Sequence, residues 1–249
     1  MLLRGKHILF TGAARGIGLA AARIAQDHGA HVILADIDAL AVNQAAVTLK
    51  GAVALTLDVA NQASIAKAIA TLGQLDGLVN NAATLDESHS STATIDRFEK
   101  VMSVNAASIL RVSQACLPLL RKSSDPAIVN TLSTQAFFGQ ANSVAYAAAK
   151  GAALNLTRCM AIDLAPDGIR VNGVAPGFID TRMAVMASGA HEHKSELFRD
   201  FYVDARKIPR ARPGIPEDCA GSYLFLLSDL SHYITGHVIT VDGGLTATY

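Results

Sequence analysis

Short apolar runs alternate along this chain with longer stretches in which apolar residues return at every third or fourth position. The short runs lie at residues 7–10, 31–35, 53–57, 77–79, 127–132, 169–174 and 238–241, and their length and composition predict strands. Between them, residues 16–25, 63–72, 98–120 and 144–164 carry helical spacing. Strand alternating with helix predicts an α/β fold: a single doubly wound parallel sheet with helices on both faces. No internal repeat or low-complexity linker divides the chain, so residues 1–249 are expected to form one domain. Polar groups sit where the runs stop. Asp36, Asp58, Asn81, Ser133 and Pro176-Gly177 all fall at predicted strand carboxyl ends, the edge at which such sheets bind ligands.

The first run meets Thr11-Gly-Ala-Ala-Arg-Gly-Ile-Gly18, a helical stretch follows, and the second run ends at Asp36. Strand, glycine turn, helix, strand, acid is the layout of a dinucleotide-binding, Rossmann-type unit. Gly12, Gly16 and Gly18 let the backbone turn tightly and approach a pyrophosphate, while the helix opening near Gly16 directs free N–H groups at it. Asp36 is placed to accept hydrogen bonds from the adenosine ribose.

Tyr146 and Lys150 stand four residues apart in the 144–164 stretch, so phenol and ammonium share a helix face. A cation held ~4 Å from a phenol favours phenolate by ~4 kcal/mol at an effective dielectric of ~20. That would bring a phenol of pKa ~10 toward neutrality. Apart from these two residues, 145–153 is small and apolar on nearly every face, which predicts cover on more than one side.

Composition acts by exclusion. Half of the residues (51%) are hydrophobic, and 21 Lys and Arg balance 21 Asp and Glu, so nothing points to nucleic acid or an anionic membrane as partner. Cys116, Cys159 and Cys219 are scattered, as in a reducing compartment. Residues 1–10 lack the pattern of a signal peptide and no run is long enough to span a bilayer, so a cytoplasmic location is expected. His191-Glu-His193 raises the question of a metal. Two histidines two apart on a helix do not share a face, so none is expected.

Taken together, these motifs resemble the short-chain dehydrogenase/reductase family, in its short single-domain branch. The resemblance rests on Thr11–Gly18, Asn80-Asn81-Ala82, Ser133 thirteen residues before Tyr146, the Tyr146/Lys150 pair, Pro176-Gly-Phe-Ile-Asp-Thr181 and residues 234–244. It spans essentially the whole chain. Ala83 stands where the family has glycine, and Ala149 where serine is common. The resemblance implies Tyr146 as general acid/base, and Lys150 as the cation that tunes it and holds the nicotinamide ribose. Ser133 would then steady the reacting oxygen, and Asn105 hold a water that links the lysine to solvent. It implies a cofactor lying along Gly12, Arg15, Gly16, Ile17, Gly18, Asp36, Asp58, Val59, Asn81, Ala82, Tyr146, Lys150, Pro176, Gly177, Ile179 and Thr181. A substrate would meet Ser133, Gln135, Gln140, Tyr146 and Phe178 beneath a lid at about 182–215. It also implies a homotetramer, or a dimer, formed through the 98–120 and 144–164 helices.

Residues 182–212 hold seven Lys or Arg against four acids, a hint of an anionic substrate group set against an ordinary solvated surface. Three functions compete. The first is an NAD-dependent oxidoreductase acting on a secondary alcohol or its ketone. The second is an NADPH-dependent 3-oxoacyl reductase, favoured by Arg15 and opposed by Asp36. The third is a non-catalytic dinucleotide sensor, which would be expected to have lost Ser133, Tyr146 or Lys150.

Overall fold

A computed structural model describes residues 1–185 and 189–248. Its strands are β1 (His7–Thr11), β2 (His31–Asp36), β3 (Val53–Thr56), β4 (Gly77–Asn80), β5 (Ala127–Thr131), β6 (Arg170–Pro176) and β7 (Val238–Val241). All pair in parallel, in the order β3-β2-β1-β4-β5-β6-β7. This is the doubly wound, Rossmann-like sheet expected from the alternation. Because side chains alternate along a strand, Ile8 and Phe10 enter one core while Leu9 enters the other.

Helices α1 (Gly16–Asp27), α2 (Ala39–Val47) and α8 (Pro216–Leu227) cover the first face. On the second lie α3 (Gln62–Ile69), α5 (Ser108–Leu120) and α6 (Val144–Asp163). A single turn, α7 (Glu196–Phe198), lies in the lid segment. Residues 186–188 of that expected lid lie outside the described residues. Neither α2 nor α8 was expected from the apolar pattern, yet α8 carries its own start signal, with Pro216 in the first turn followed by Glu217 and Asp218.

The expected helix over 98–120 differs in an instructive way. It begins earlier, as α4 (Ile95–Met102), and passes through a π-helical turn at Ser103–Ala107 before continuing as α5. Asn105 sits in that wide turn. A buried polar chain ties these layers together: Asn80 Nδ2 donates to Asn130 Oδ1 (2.9 Å) and to Ser113 Oγ (3.1 Å). Asn130 Nδ2 donates in turn to Thr157 Oγ1 (2.9 Å) on α6. Each buried polar group thereby finds a partner, and β4, β5, α5 and α6 are fixed in register.

Candidate active site

The strand order reverses beside β1, whose neighbours are β2 and β4, and ligands bind at that point in open α/β sheets. A cleft of about 1580 Å³ opens there, larger than a single drug-sized pocket needs. Of the site residues expected from the sequence, all but Gly18 and Asn105 line it. Gly18 is buried beneath the loop, where a Cβ would lie 2.6 Å from Asn81 Nδ2 and from the Gly12 carbonyl. Only glycine permits that approach.

The glycine loop is braced from β4. Asn81 Nδ2 donates to the carbonyls of Thr11 (3.1 Å) and Gly12 (3.0 Å), while the Asn81 and Ala82 amides donate to Thr11 Oγ1. Helices α2, α3 and α4 each have a side-chain N-cap, Asp38, Asn61 and Thr94. Helix α1 has none, and no acid in its first turn. Its free N–H groups and positive dipole end therefore suit an anionic ligand. Gly16 adopts φ +59°, and a Cβ there would project toward Thr181. An uncapped helix start facing a cradle that a side chain would narrow fits a dinucleotide's phosphates.

At the end of β2, Asp36 accepts hydrogen bonds from the amides of Ala14 (3.1 Å) and Asp38 (3.1 Å). Asp38 was missed in the sequence reading. Its Oδ1 caps α2 through the Ala41 amide, and its Oδ2 accepts from Arg15 at 2.6 Å. The Ala41 bond and the Arg15 guanidinium hold the Asp38 carboxyl below its usual range. Arg15, the one basic residue of the glycine loop, is thus already paired with a carboxylate. The signal was present, since an Asp just before a helical run is an N-cap in reach of the same loop.

At the cleft floor, α6 presents Tyr146 and Lys150, both buried. Lys150 Nζ donates to the Thr131 carbonyl (2.7 Å) and lies 5.6 Å from the centre of the Tyr146 ring. The expectation of a depressed phenol is corrected here. Burial pushes the Tyr146 hydroxyl up to about 12, only partly opposed by the neighbouring Ser133 hydroxyl. Burial also pulls the Lys150 ammonium down to about 8. Desolvation of both groups outweighs their attraction. Ser133, two residues past the end of β5, caps a short 3₁₀ turn, its Oγ accepting from the Gln135 amide (3.2 Å). Asn105 lies behind the cleft wall: its Oδ1 accepts from the Thr84 amide and its Nδ2 donates to the Thr84 carbonyl, both at 2.8 Å. The side chain thus fixes the loop after β4, a partnership that helical spacing could not reveal.

Beside Ser133 in the cleft, Gln135 is held by two hydrogen bonds, donating to Gln140 Oε1 (2.7 Å) and accepting from Ser143 Oγ (2.6 Å). Phe178 anchors the lid segment by packing on Phe198 (5.1 Å), Tyr202 (4.6 Å) and His193 (5.7 Å). Of the seven basic residues expected in the lid, Arg199 and Arg212 pair with Asp204 and Asp218, while Arg182 and Lys207 line the cleft. The premise applied to His191 and His193 fails. They do not ride on one α-helix: His191 is extended, at the start of a 3₁₀ turn (Glu192–Lys194). Both imidazoles end up close to Asp180.

Comparison with known proteins places the whole chain among related sequences and folds. The family model described as enoyl-(acyl carrier protein) reductase matches residues 12–246. A 2-(S)-hydroxypropyl-CoM dehydrogenase of Xanthobacter autotrophicus is 38% identical, with 98% of each chain covered. A 3-oxoacyl-[acyl-carrier-protein] reductase of Thermotoga maritima is 36% identical over 98% of this chain and 99% of its own. The crystal structure of a gluconate 5-dehydrogenase from Burkholderia cenocepacia, in complex with NADP and tartrate, superposes with a TM-score of 0.91 at 30% identity. That match covers 99% of this chain and 97% of the other.

Proposed function

Since this chain belongs to the short-chain dehydrogenase/reductase family, whose members bind a nicotinamide dinucleotide and act on alcohols and ketones, we propose that it is an NAD-dependent oxidoreductase. Its substrate is a secondary alcohol or the corresponding ketone. The observation that carries the reading is the convergence of Tyr146, Lys150 and Ser133 on the floor of one cleft beside an uncapped helix start. The nicotinamide supplies or accepts the hydride. Tyr146 Oη takes the proton of the substrate hydroxyl in oxidation and returns it in reduction, with Ser133 Oγ holding the reacting oxygen. Lys150, fixed by Thr131, keeps a positive charge beneath the phenol and reaches the nicotinamide ribose. Asn105 positions the loop at Thr84. All three catalytic groups are present, which sets the enzyme reading above a non-catalytic sensor. A dehydrogenase panel of polyols, hydroxy acids, cyclic and steroid alcohols, followed by reduced-nicotinamide absorbance, tests this. An enzyme inert to every class would count against it.

The preference for NAD rests on Asp36 and on the Arg15–Asp38 pair. A 2′-phosphate would face the Asp36 carboxylate and replace the hydroxyl donor it could bind, at about 2–4 kcal/mol. An exposed arginine–phosphate contact contributes only about 1–2 kcal/mol, and here Arg15 would first have to leave Asp38. NAD is expected to be favoured about ten- to a hundred-fold in kcat/KM, and Asp36→Ala to erode or reverse that. Titration of both dinucleotides decides it without a substrate: tighter NADP binding by the wild type would favour the 3-oxoacyl reductase reading.

The enzyme is a homotetramer, or a dimer, assembled through α4, α5 and α6. In support, Val144, Ala148 and Ile162 lie exposed on the outer side of α6, beside a shallow apolar groove lined by Met102, Ala106, Leu110 and Leu156. Symmetric pairing would cover them. Sedimentation as a monomer at micromolar concentration would remove this reading. A cytoplasmic location is supported by the free thiols of Cys116, Cys159 and Cys219. Among the described residues, no helix is long and apolar enough to cross a membrane.

A further inference from the structure

Three side chains that the hydride chemistry does not use meet where the turn after β6 touches the start of the lid segment. Asp180 is fixed by its backbone, since its amide donates to the Gly214 carbonyl (2.8 Å) while the Gly214 amide donates back to Phe178 (2.8 Å). His191 is fixed by an antiparallel bridge to Val185. Its Nε2 lies 2.7 Å from Asp180 Oδ1. His193 is held by its packing on Phe178 and Phe198 (4.8 Å), with its ring 5.5 Å from that of His191. One donor atom from each of the three residues lies within 4.8 Å of the other two. The Nδ1 atoms of both imidazoles are buried without a hydrogen-bond partner among the described residues, and buried polar atoms left unmet call for an explanation such as an ion.

We propose that Asp180, His191 and His193 form a binding site for a divalent transition-metal cation of the zinc class, which fastens the lid segment to the cleft-lining turn. Two imidazole nitrogens and one carboxylate oxygen suit Zn²⁺, Co²⁺ or Ni²⁺ and disfavour Mg²⁺ and Ca²⁺, which take oxygen ligands. Bonds of ~2.0–2.1 Å would set tetrahedral donors roughly 3.3 Å apart, so occupancy would open the 2.7 Å Asp180–His191 contact slightly and draw in donors now up to 4.8 Å apart. Three protein ligands leave a position open, and Asp180 and His193 line the cleft. The bound ion therefore faces the space where a substrate sits. The site departs from the metal-free expectation because the two histidines reach Asp180 from an extended segment and a 3₁₀ turn, where α-helical spacing does not apply.

Titration of the chelator-treated, full-length protein with Co²⁺ alone tests this, because tetrahedral Co²⁺ bound through imidazole gives a visible absorption that free Co²⁺ lacks. The expected result is about one equivalent per chain, displaced by Zn²⁺ and weakened at least about tenfold in both His193→Gln and Asp180→Asn. Zn²⁺ should also raise the melting temperature of the wild type and not of the variants. Absence of stoichiometric uptake by the wild type would overturn the site. So would uptake that survives in folded His193→Gln and Asp180→Asn proteins, which would place the ion elsewhere and leave Asp180 and His191 as a hydrogen-bonded pair. Should either variant fail to fold, a wild-type Co²⁺ spectrum without imidazole character would overturn it equally.

Discussion

Replacement of Tyr146 by Phe is expected to lower kcat by about 10²–10⁴-fold, the usual worth of a positioned acid/base, while the affinity for the dinucleotide stays within a few-fold. In the proposed mechanism only the proton-carrying oxygen is removed, and the buried ring remains packed. A loss confined to kcat marks a group that acts in the transition state. The pH profile adds a second signature. With the hydroxyl pushed up to about 12, the base form is scarce at neutral pH, so alcohol oxidation should climb steadily from pH 7 to about 10 without a plateau. In the same mechanism ketone reduction uses the protonated phenol above a charged lysine, and should decline as pH passes the Lys150 value of about 8. Near-normal turnover in Tyr146→Phe would end the proposed chemistry.

Lys150→Met should separate stability from activity. The ammonium is fully enclosed, and only the Thr131 carbonyl accepts a hydrogen bond from it among the described residues. Its fall from 10.5 to about 8 corresponds to roughly 3 kcal/mol against the charged form in the folded state. An apolar side chain of similar length avoids that cost and forfeits one hydrogen bond, a net gain of about 1–3 kcal/mol. The melting temperature should rise by several degrees while turnover collapses, as at sites that are strained for function. Linkage gives a cleaner test. Between pH 8 and 10.5 the unfolded lysine holds its proton and the folded one has released it, so wild-type stability rises with pH in that window. Tyr146, with its folded value raised above its unfolded one, lowers stability only above pH 10. The Met variant should lack the rise between 8 and 10. A destabilised variant would mean that the ammonium is well solvated or better bonded than the geometry gives.

The sheet was legible because each strand is a compact apolar run that stops at a residue which breaks it, such as Thr11, Asp36 and Pro176, or just before one, such as Asp242 after β7. Even the edge strand β7 (Val238–Val241) falls where the pattern puts it. Asp36, Asp58, Asn81, Ser133 and Pro176 were legible in the cleft for the same reason, since strand ends bring them together, whereas Tyr146 and Lys150 on α6 were legible through their helical spacing. Four features escaped. Helix α2 is short and half-exposed, so its apolar residues show no clear stripe. Asp38 acts through Arg15, twenty-three positions away, a contact that only the folded loop creates. The phenol's direction of shift was misjudged because spacing reports which charges are near and says nothing of how much water both have lost. The His191/His193 geometry was hidden by the assumption of a helix in a segment that instead turns through 3₁₀.

The π turn at Ser103–Ala107 also bears on what the chain can vary. A wide turn holds one residue more than an α turn. Deleting one of the four residues here besides Asn105 would let the helix wind regularly. Because the wide turn is what absorbs the extra residue, α4 and α5 would keep nearly their present phase while the residues of the turn itself are re-aimed. Asn105 would be turned away from Thr84, while the face that α4 lays on α6 would stay where it is. Single substitutions on the outer side of this segment touch neither contact. Length is therefore the property under constraint here. A related chain one residue shorter between 103 and 107 would need to support the loop after β4 by some means other than an asparagine amide.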